Sequence, residues 1–307
     1  MLLTLKILKA RFFYEDYHVQ KFGIDIDPQI IRGILPALRS LDDNTLLNIF
    51  ARKFLDAGLP SSQFSFKENM IQYCNQIDGQ KLEIGPFDRP LLRGPNVEYF
   101  DILNTEQLKS RAREHGRQPD NVPEIDHVNS KGDLSKIPSK FDVALSSHCI
   151  EHSPDLISHL KQVADLLKSG GSYYLVIPDR RYCFDHYIKD STIADILSAH
   201  IETRKSPKAK SVIEHNALVT HNDSIRHWLD DHGVSNSEDR VNGARTALAE
   251  YLGTSDYIDV HCWQFTPHSL VDCCRELWEL GYLPFSKVRV SLTPFGRKDF
   301  TAIMTRE

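Results

Sequence analysis

The chain has 307 residues, of which 41% are hydrophobic and 26% charged, with a formal net charge of −5. That length suits one large domain with substantial additions, and the apolar fraction can build a core. The acidic balance argues against nucleic-acid binding through a cationic surface, and no run reaches the ~18–20 apolar residues of a membrane-spanning helix.

The first segment, MLLTLKILKARFFYEDYH, has its apolar run broken by Lys6 and Lys9 and no small-residue cleavage site after it. It reads as an amphipathic helix, not as a signal peptide. Either it covers part of the core, or Lys6, Lys9 and Arg11 make it a basic surface helix that meets a membrane or a partner enzyme such as a glycosyltransferase. Residues 26–77 continue with apolar positions three to four apart in DPQIIRGILPALRSL, TLLNIFARKFLDAGL and SFKENMIQYCNQI. Residues 1–78 are therefore expected to form a helical extension, and 79–307 the main domain.

The pattern then changes. KLEIG at 81–85 and VEYFDIL at 97–103 read as strands. FDVALSS at 141–147 is nearly all apolar, as a strand buried on both faces should be. LISHLKQVADLLK at 156–168 is an amphipathic helix that Gly170-Gly171 is expected to stop, and SYYLVIP at 172–178 is the next strand. Strands and helices alternating at this spacing predict a parallel sheet with right-handed crossovers. A polar insertion at about 183–260 interrupts the alternation. A helix at 267–280 and two strands at 286–292 and 299–305, read as an antiparallel hairpin, complete it. Six cysteines form no CxxC pair, which predicts neither a zinc framework nor a disulfide scaffold and points to a reducing cytoplasm.

Chemistry-bearing residues recur where strands end, the edge at which open α/β sheets bind ligands. Gly85 lets a ligand approach the backbone after the first strand. Asp101 closes the second strand, where its two oxygens can accept both hydroxyls of a ribose. Asp133 lies in the loop before the third predicted strand, in reach of an exocyclic amine. The first turn, KLEIGPFDRP, lacks the GxGxxG of a pyrophosphate loop, and Asp88 would repel phosphate. A phosphate-free, cationic nucleoside suits it better, with Glu83 and Asp88 compatible with a sulfonium or ammonium.

These segments, with the helix-Gly-Gly-strand LLKSGGSYYLVIPD and the late WQFTPHSLVDCCRELWELGY, resemble class I S-adenosylmethionine-dependent methyltransferases. The likeness is greatest to the small-molecule branch called type 11. The resemblance implies an α/β, Rossmann-like, seven-stranded and mostly parallel sheet with helices on both faces, its last strand antiparallel. The helical extension and the insertion, a helical lid, would be additions to it. It also implies S-adenosylmethionine held by Glu83, Gly85, Pro86, Phe87, Asp101, Ile102, Asp133, Leu134, Ser147 and His148. One departure is plain: the usual first motif is E-x-G-x-G-x-G, and Phe87 and Arg89 stand at its second and third glycine positions.

The expected reaction is methylation of a hydroxyl on a sugar or glycan-related small molecule, as in polysaccharide biosynthesis, by in-line attack on the sulfonium methyl. His148, His152 and His186 are the candidate bases, because imidazole titrates near neutral pH. Asp179 is a further catalytic candidate. Arg180, Arg181, Tyr182, His221, Arg226, His227 and Trp228 are the expected acceptor contacts. No metal ligands are assigned, since His215, His221, His227 and His232 are spaced 6, 6 and 5 apart rather than three or four. Two alternatives stay open. In one, a divalent ion on Asp179, His186 and a neighbouring carboxylate activates the hydroxyl. In the other, the chain is a non-catalytic interaction module of methyltransferase fold.

Overall fold

The computed structural model describes residues 67–307 except 139, 235, 255, 256 and 295. The expected N-terminal helices before residue 67, and the partner surface assigned to them, lie outside the described residues. Among the described residues no helix is long and apolar enough to cross a membrane.

Helix α1 (Lys67–Gln76) leads into strand β1 (Lys81–Ile84). Strand β2 (Val97–Asp101), helix α2 (Thr105–Glu114), and strands β3 (His127–Val128) and β4 (Phe141–Ser147) follow. Helix α3 (Leu156–Leu166) runs straight into β5 (Leu167–Pro178). The insertion carries α4 (Ile193–Ile201), α5 (Ala209–Leu218), α6 (Ser224–Trp228) and α7 (Ser237–Gly253), before α8 (Pro267–Glu279), β6 (Lys287–Val290) and β7 (Asp299–Thr305). The strands form one sheet in the order β3-β2-β1-β4-β5-β7-β6. β7 runs antiparallel to both β5 and β6, and the other pairs are parallel.

Both faces of the sheet are covered, and the alternation of side chains shows it. Tyr173, Leu175 and Ile177 of β5 join the core beneath α3, α4 and α8. Tyr174 and Val176 face Met70 and Cys74 of α1 on the other side. Helix starts follow the expected polar caps: Asn104 and Gln107 make a capping box for α2, and Thr266 and Ser269 make one for α8 with Pro267 at its first turn.

Two expectations are corrected. Gly170-Gly171 does not stop α3, which ends at Leu166; the glycines lie inside β5, where the register opposite Phe141 and Val143 shifts. A Cβ at Gly171 would lie 2.9 Å from the Lys168 carbonyl oxygen and 3.2 Å from that of Phe141, so the strand bulges there only because the side chain is missing. Strand β3 was unforeseen because two residues carry no alternation. Asp126 accepts a hydrogen bond from the Tyr99 amide at 2.8 Å and ties β2 to this edge. In the insertion, α5 and α7 close on Val212, Ala247, Ile258 and Val260. The helices touch at Gly243, where a Cβ would lie 2.1 Å from the Asn216 carbonyl oxygen.

Candidate active site

Ile84 of β1 is in register with Phe100 of β2 and Ser146 of β4. The next residue in each chain, Gly85, Asp101 and Ser147, therefore stands at the same edge of the sheet. Gly85 has φ +72°, and a Cβ there would meet Cys149 Sγ at 3.4 Å. The turn keeps a left-handed backbone at the second glycine position as well: Phe87 has φ +44°. Such a conformation costs a non-glycine residue roughly 1–2 kcal/mol. Phe87 is held in it by packing against Leu108, Ala112, Val122 and Ile125 and by the Arg117 guanidinium 5.2 Å from its ring.

The two acids of this turn are committed within the protein. Glu83, 2% exposed, accepts from the Leu91 amide with both oxygens and from the Leu92 amide at 2.8 Å. Burial pushes its pKa up to about 7 although these N–H groups pull the other way. Asp88 is paired with Arg117 at 2.7 Å. Glu83, read as compatible with a cation, hangs the loop, and Asp88 pins it to the segment after α2. Pro86 is buried.

Asp101 is 7% exposed, accepts from the Leu103 amide at 3.1 Å, and is pushed above the usual carboxylate range by burial. Ile102 beside it is half-buried. The Asn129 amide donates to the Asp101 carbonyl at 3.2 Å, and the Asn129 side chain accepts from the Asp133 amide at 3.3 Å. The loop carrying Asp133 is thereby tied to the end of β2. Asp133 itself accepts from the Ser135 amide at 2.9 Å. Leu134 turns into the core, fully buried, and its amide donates to Gln162.

The segment after β4 is dense in titratable groups. His148 follows Ser147 with φ +52°, and its amide donates to the Val176 carbonyl. Its Nε2 lies 3.2 Å from Asp299 Oδ2 and its Nδ1 3.7 Å from Glu151 Oε1. Burial works against the charge of Asp299, yet the His148 hydrogen bond and Lys67 hold its carboxyl below the usual range. Glu151 is fully buried, and among the described residues neither carboxylate oxygen has a hydrogen-bond partner. Its other neighbour is His261, whose Nε2 lies 3.9 Å away and whose Nδ1 lies 2.6 Å from Asp185 Oδ2. Burial opposes a charge on His261, but Asp185 and Glu151 outweigh it and raise the pKa. His152 sits 2.9 Å from Asp259 through Nδ1, and Asp259 also pairs with Arg111 of α2. Glu151, His152 and His261 lie close enough to share an ion.

His261, Asp185, Asp259 and Asp299 were missed by sequence reasoning. Their partners are tens of residues away, so no local spacing marks them. The segment around 257–263 is laid over this loop: Tyr257 Oη donates to the His152 carbonyl, Trp263 Nε1 to that of Ser153, and the Cys262 amide to that of Glu151.

The expected acceptor residues are mostly satisfied internally. Asp179 is fully buried, takes two side-chain hydrogen bonds from Arg181 and accepts from Thr293 at 2.5 Å. It positions the loop after β5, which corrects its assignment as a proton acceptor and as a metal ligand beside His186. Arg180 pairs with Asp190, and Arg226 with Asp231. Tyr182 and Trp228, both expected acceptor contacts, stack on each other at 3.9 Å, so one face of each ring is already covered. His221 lies 3.0 Å from the Asp231 carbonyl. The spacing rule for lid histidines is also corrected. It governs one helix, whereas folding brings His186, more than forty residues back in sequence, up against His227 and His232.

A search of curated proteins found no match. Among solved structures, the CcbJ methyltransferase from Streptomyces caelestis is 16% identical with a TM-score of 0.28, over 41% of this chain and 56% of its own. An S-adenosylmethionine-dependent methyltransferase from Clostridium acetobutylicum is 18% identical with a TM-score of 0.29, over 48% and 62%. This chain thus spans less than two thirds of either. A possible histamine N-methyltransferase from Thermotoga maritima is 15% identical with a TM-score of 0.32, over 86% and 97%. A family model described as a methyltransferase domain matches residues 75–277, more than half of the chain. The chain therefore belongs to the methyltransferase-domain family, with the Rossmann-like fold of class I S-adenosylmethionine-dependent methyltransferases.

Proposed function

We propose that the protein methylates a hydroxyl oxygen of a small polar acceptor, a sugar or glycan precursor being the favoured class, with His148 as the base. S-adenosylmethionine supplies an electrophilic sulfonium methyl when bound. The strand edge fits that ligand: Gly85 permits close approach, Asp101 is a buried acid at the end of β2, and Asp133 is tied to it through Asn129.

One observation carries the reading. His148 is held in a left-handed backbone at the tip of β4, one strand from Gly85, between the carboxylates of Asp299 and Glu151. Strained residues of this kind cluster at functional sites. A hydroxyl must lose its proton as oxygen attacks, and His148, which would take it, lies between the carboxyl groups of Asp299 and Glu151. Glu151 is a positioning residue, since it reaches solvent nowhere and acts through His148 and His261. The polar side chains of the insertion support a polar acceptor, and the pairing of Arg180 with Asp190 and of Arg226 with Asp231 argues against a strongly anionic one.

The test measures methyl transfer at saturating S-adenosylmethionine to a panel of hydroxyl and amine acceptors. Transfer to hydroxyls, lost with His148→Gln while calorimetric cofactor binding persists, supports the reading. Transfer to amines alone, or an unaltered His148→Gln rate, overturns it.

A further inference from the structure

The loop after β5 and the lid bring three imidazoles together from separate elements. His186 follows the Arg180–Tyr182 turn, His227 lies on α6, and His232 lies in the turn beyond it. One ring nitrogen of each lies within 4.8 Å of those of the other two.

The remaining nitrogens are already engaged. His186 Nδ1 is 2.8 Å from the Arg181 carbonyl, His227 Nε2 is 2.9 Å from the His221 carbonyl, and His232 Nε2 is 3.2 Å from Asp230 Oδ1. Carbonyls and carboxylates only accept, so each imidazole donates its N–H there. That leaves His186 Nε2, His227 Nδ1 and His232 Nδ1 as lone pairs. The last two face each other at 3.0 Å. Two lone pairs at that distance repel unless a proton or a cation lies between them. His227 is 2% exposed, so bulk solvent does not relieve that repulsion, whereas an ion held by both nitrogens would.

An imidazole that donates its far N–H to a carbonyl or carboxylate is the usual outer arrangement of a metal-ligating histidine. The turn that presents His232 is also strained and tightly packed. Asp230 has φ +69°, and a Cβ on Gly233 would lie 2.5 Å from Thr220 Oγ1. Thr220 Oγ1 in turn donates to the His232 carbonyl.

We propose that His186, His227 and His232 form a three-imidazole site for one divalent ion of borderline softness, zinc above all. The inward donors are all nitrogen, which disfavours magnesium and calcium. Three protein ligands leave a fourth position for water or an anion. His186 stacks on His232 with ring centroids 3.6 Å apart, which keeps it beside the pair. Bound there, the ion pins α6 and its following turn to the loop after β5. The site is independent of the proposed methyl transfer.

The test uses the full chain, free of any affinity tag, stripped with chelator and titrated with cobalt(II). The site predicts intense visible absorption of a tetrahedral cobalt centre, saturating at one ion per chain and abolished by zinc. His227→Ala and His186→Ala should each weaken cobalt binding by at least about tenfold, while His221→Ala leaves it unaltered. His186 is half-buried, so its variant keeps the test decisive if His227→Ala fails to fold. Absence of the tetrahedral spectrum, or binding that is unaltered in His186→Ala, overturns the proposal.

Discussion

Two groups of histidines in this molecule meet opposite partners. Around the tip of β4 every imidazole faces a carboxylate: His148 faces Asp299 and Glu151, His152 faces Asp259, and His261 faces Asp185. In the second group His186, after β5, and His227, on α6, donate to carbonyls, and of the three His232 alone has an acid, the exposed Asp230. At His261 the first arrangement favours the protonated ring, since Asp185 and Glu151 raise its pKa against burial. The second fixes the tautomer and turns lone pairs towards one another. The same residue type is thus set to opposite tasks by what touches its far nitrogen.

The comparison breaks first at His148. His148→Gln should lower the rate at saturating cofactor by roughly 10²–10⁴-fold, the usual worth of a general base, and leave lid cobalt binding intact. A loss of both would mean that the two groups are one unit. Next, Asp101→Ala should weaken cofactor binding by roughly 1.5–3 kcal/mol if its carboxylate takes charge-assisted hydrogen bonds from the ribose. Calorimetric titration reads this, and wild-type affinity would remove Asp101 from the site. Gly243→Val should cost about 1–3 kcal/mol by forcing α5 and α7 apart. Hydrogen exchange should rise in residues 209–253 and not in β4 or β5, which separates lid from sheet.

The smallest effect is in pH dependence, and the two groups should differ in sign. His261 has its folded pKa raised by Asp185 and Glu151 against the opposing effect of burial. Its stabilisation is complete below the unfolded value of about 6.5 and fades as pH rises through the folded value. In chelated protein His227 runs the other way. Burial holds it down to about 4, so its contribution is complete above about 6.5 and is lost as pH falls towards 4. Thermal melts of His261→Asn and His227→Asn across that range check both slopes. Parallel changes would show that the far-nitrogen partners do not set the difference.

Periodicity made most of the sheet legible beforehand, since β4 and β5 are long and apolar and α8 is strongly two-faced. It could not reveal β3, with two residues, or the glycine bulge in β5, which depends on the backbone of Phe141. The placing of Gly85, Asp101 and His148 at one edge of the sheet was readable because each ends or directly follows a strand that the sequence revealed, whereas Asp133 could be placed only by the strand after it. His261 and Asp299 were not readable, because they reach the same edge from the far end of the chain. Sequence spacing likewise concealed the lid cluster, whose members meet only after the insertion folds back on the loop after β5.

The loop after β1 carries a consequence for sequence variation. Glu83 holds it through the amides of residues 91 and 92 and through no side chain there. Relatives that keep an acid at position 83 should therefore vary more at position 91, half-buried against the core beside α1, than at 92, which is fully buried and should stay apolar. At both, proline should be missing, having no N–H to give. At position 90, where this chain already has proline, no such bar applies.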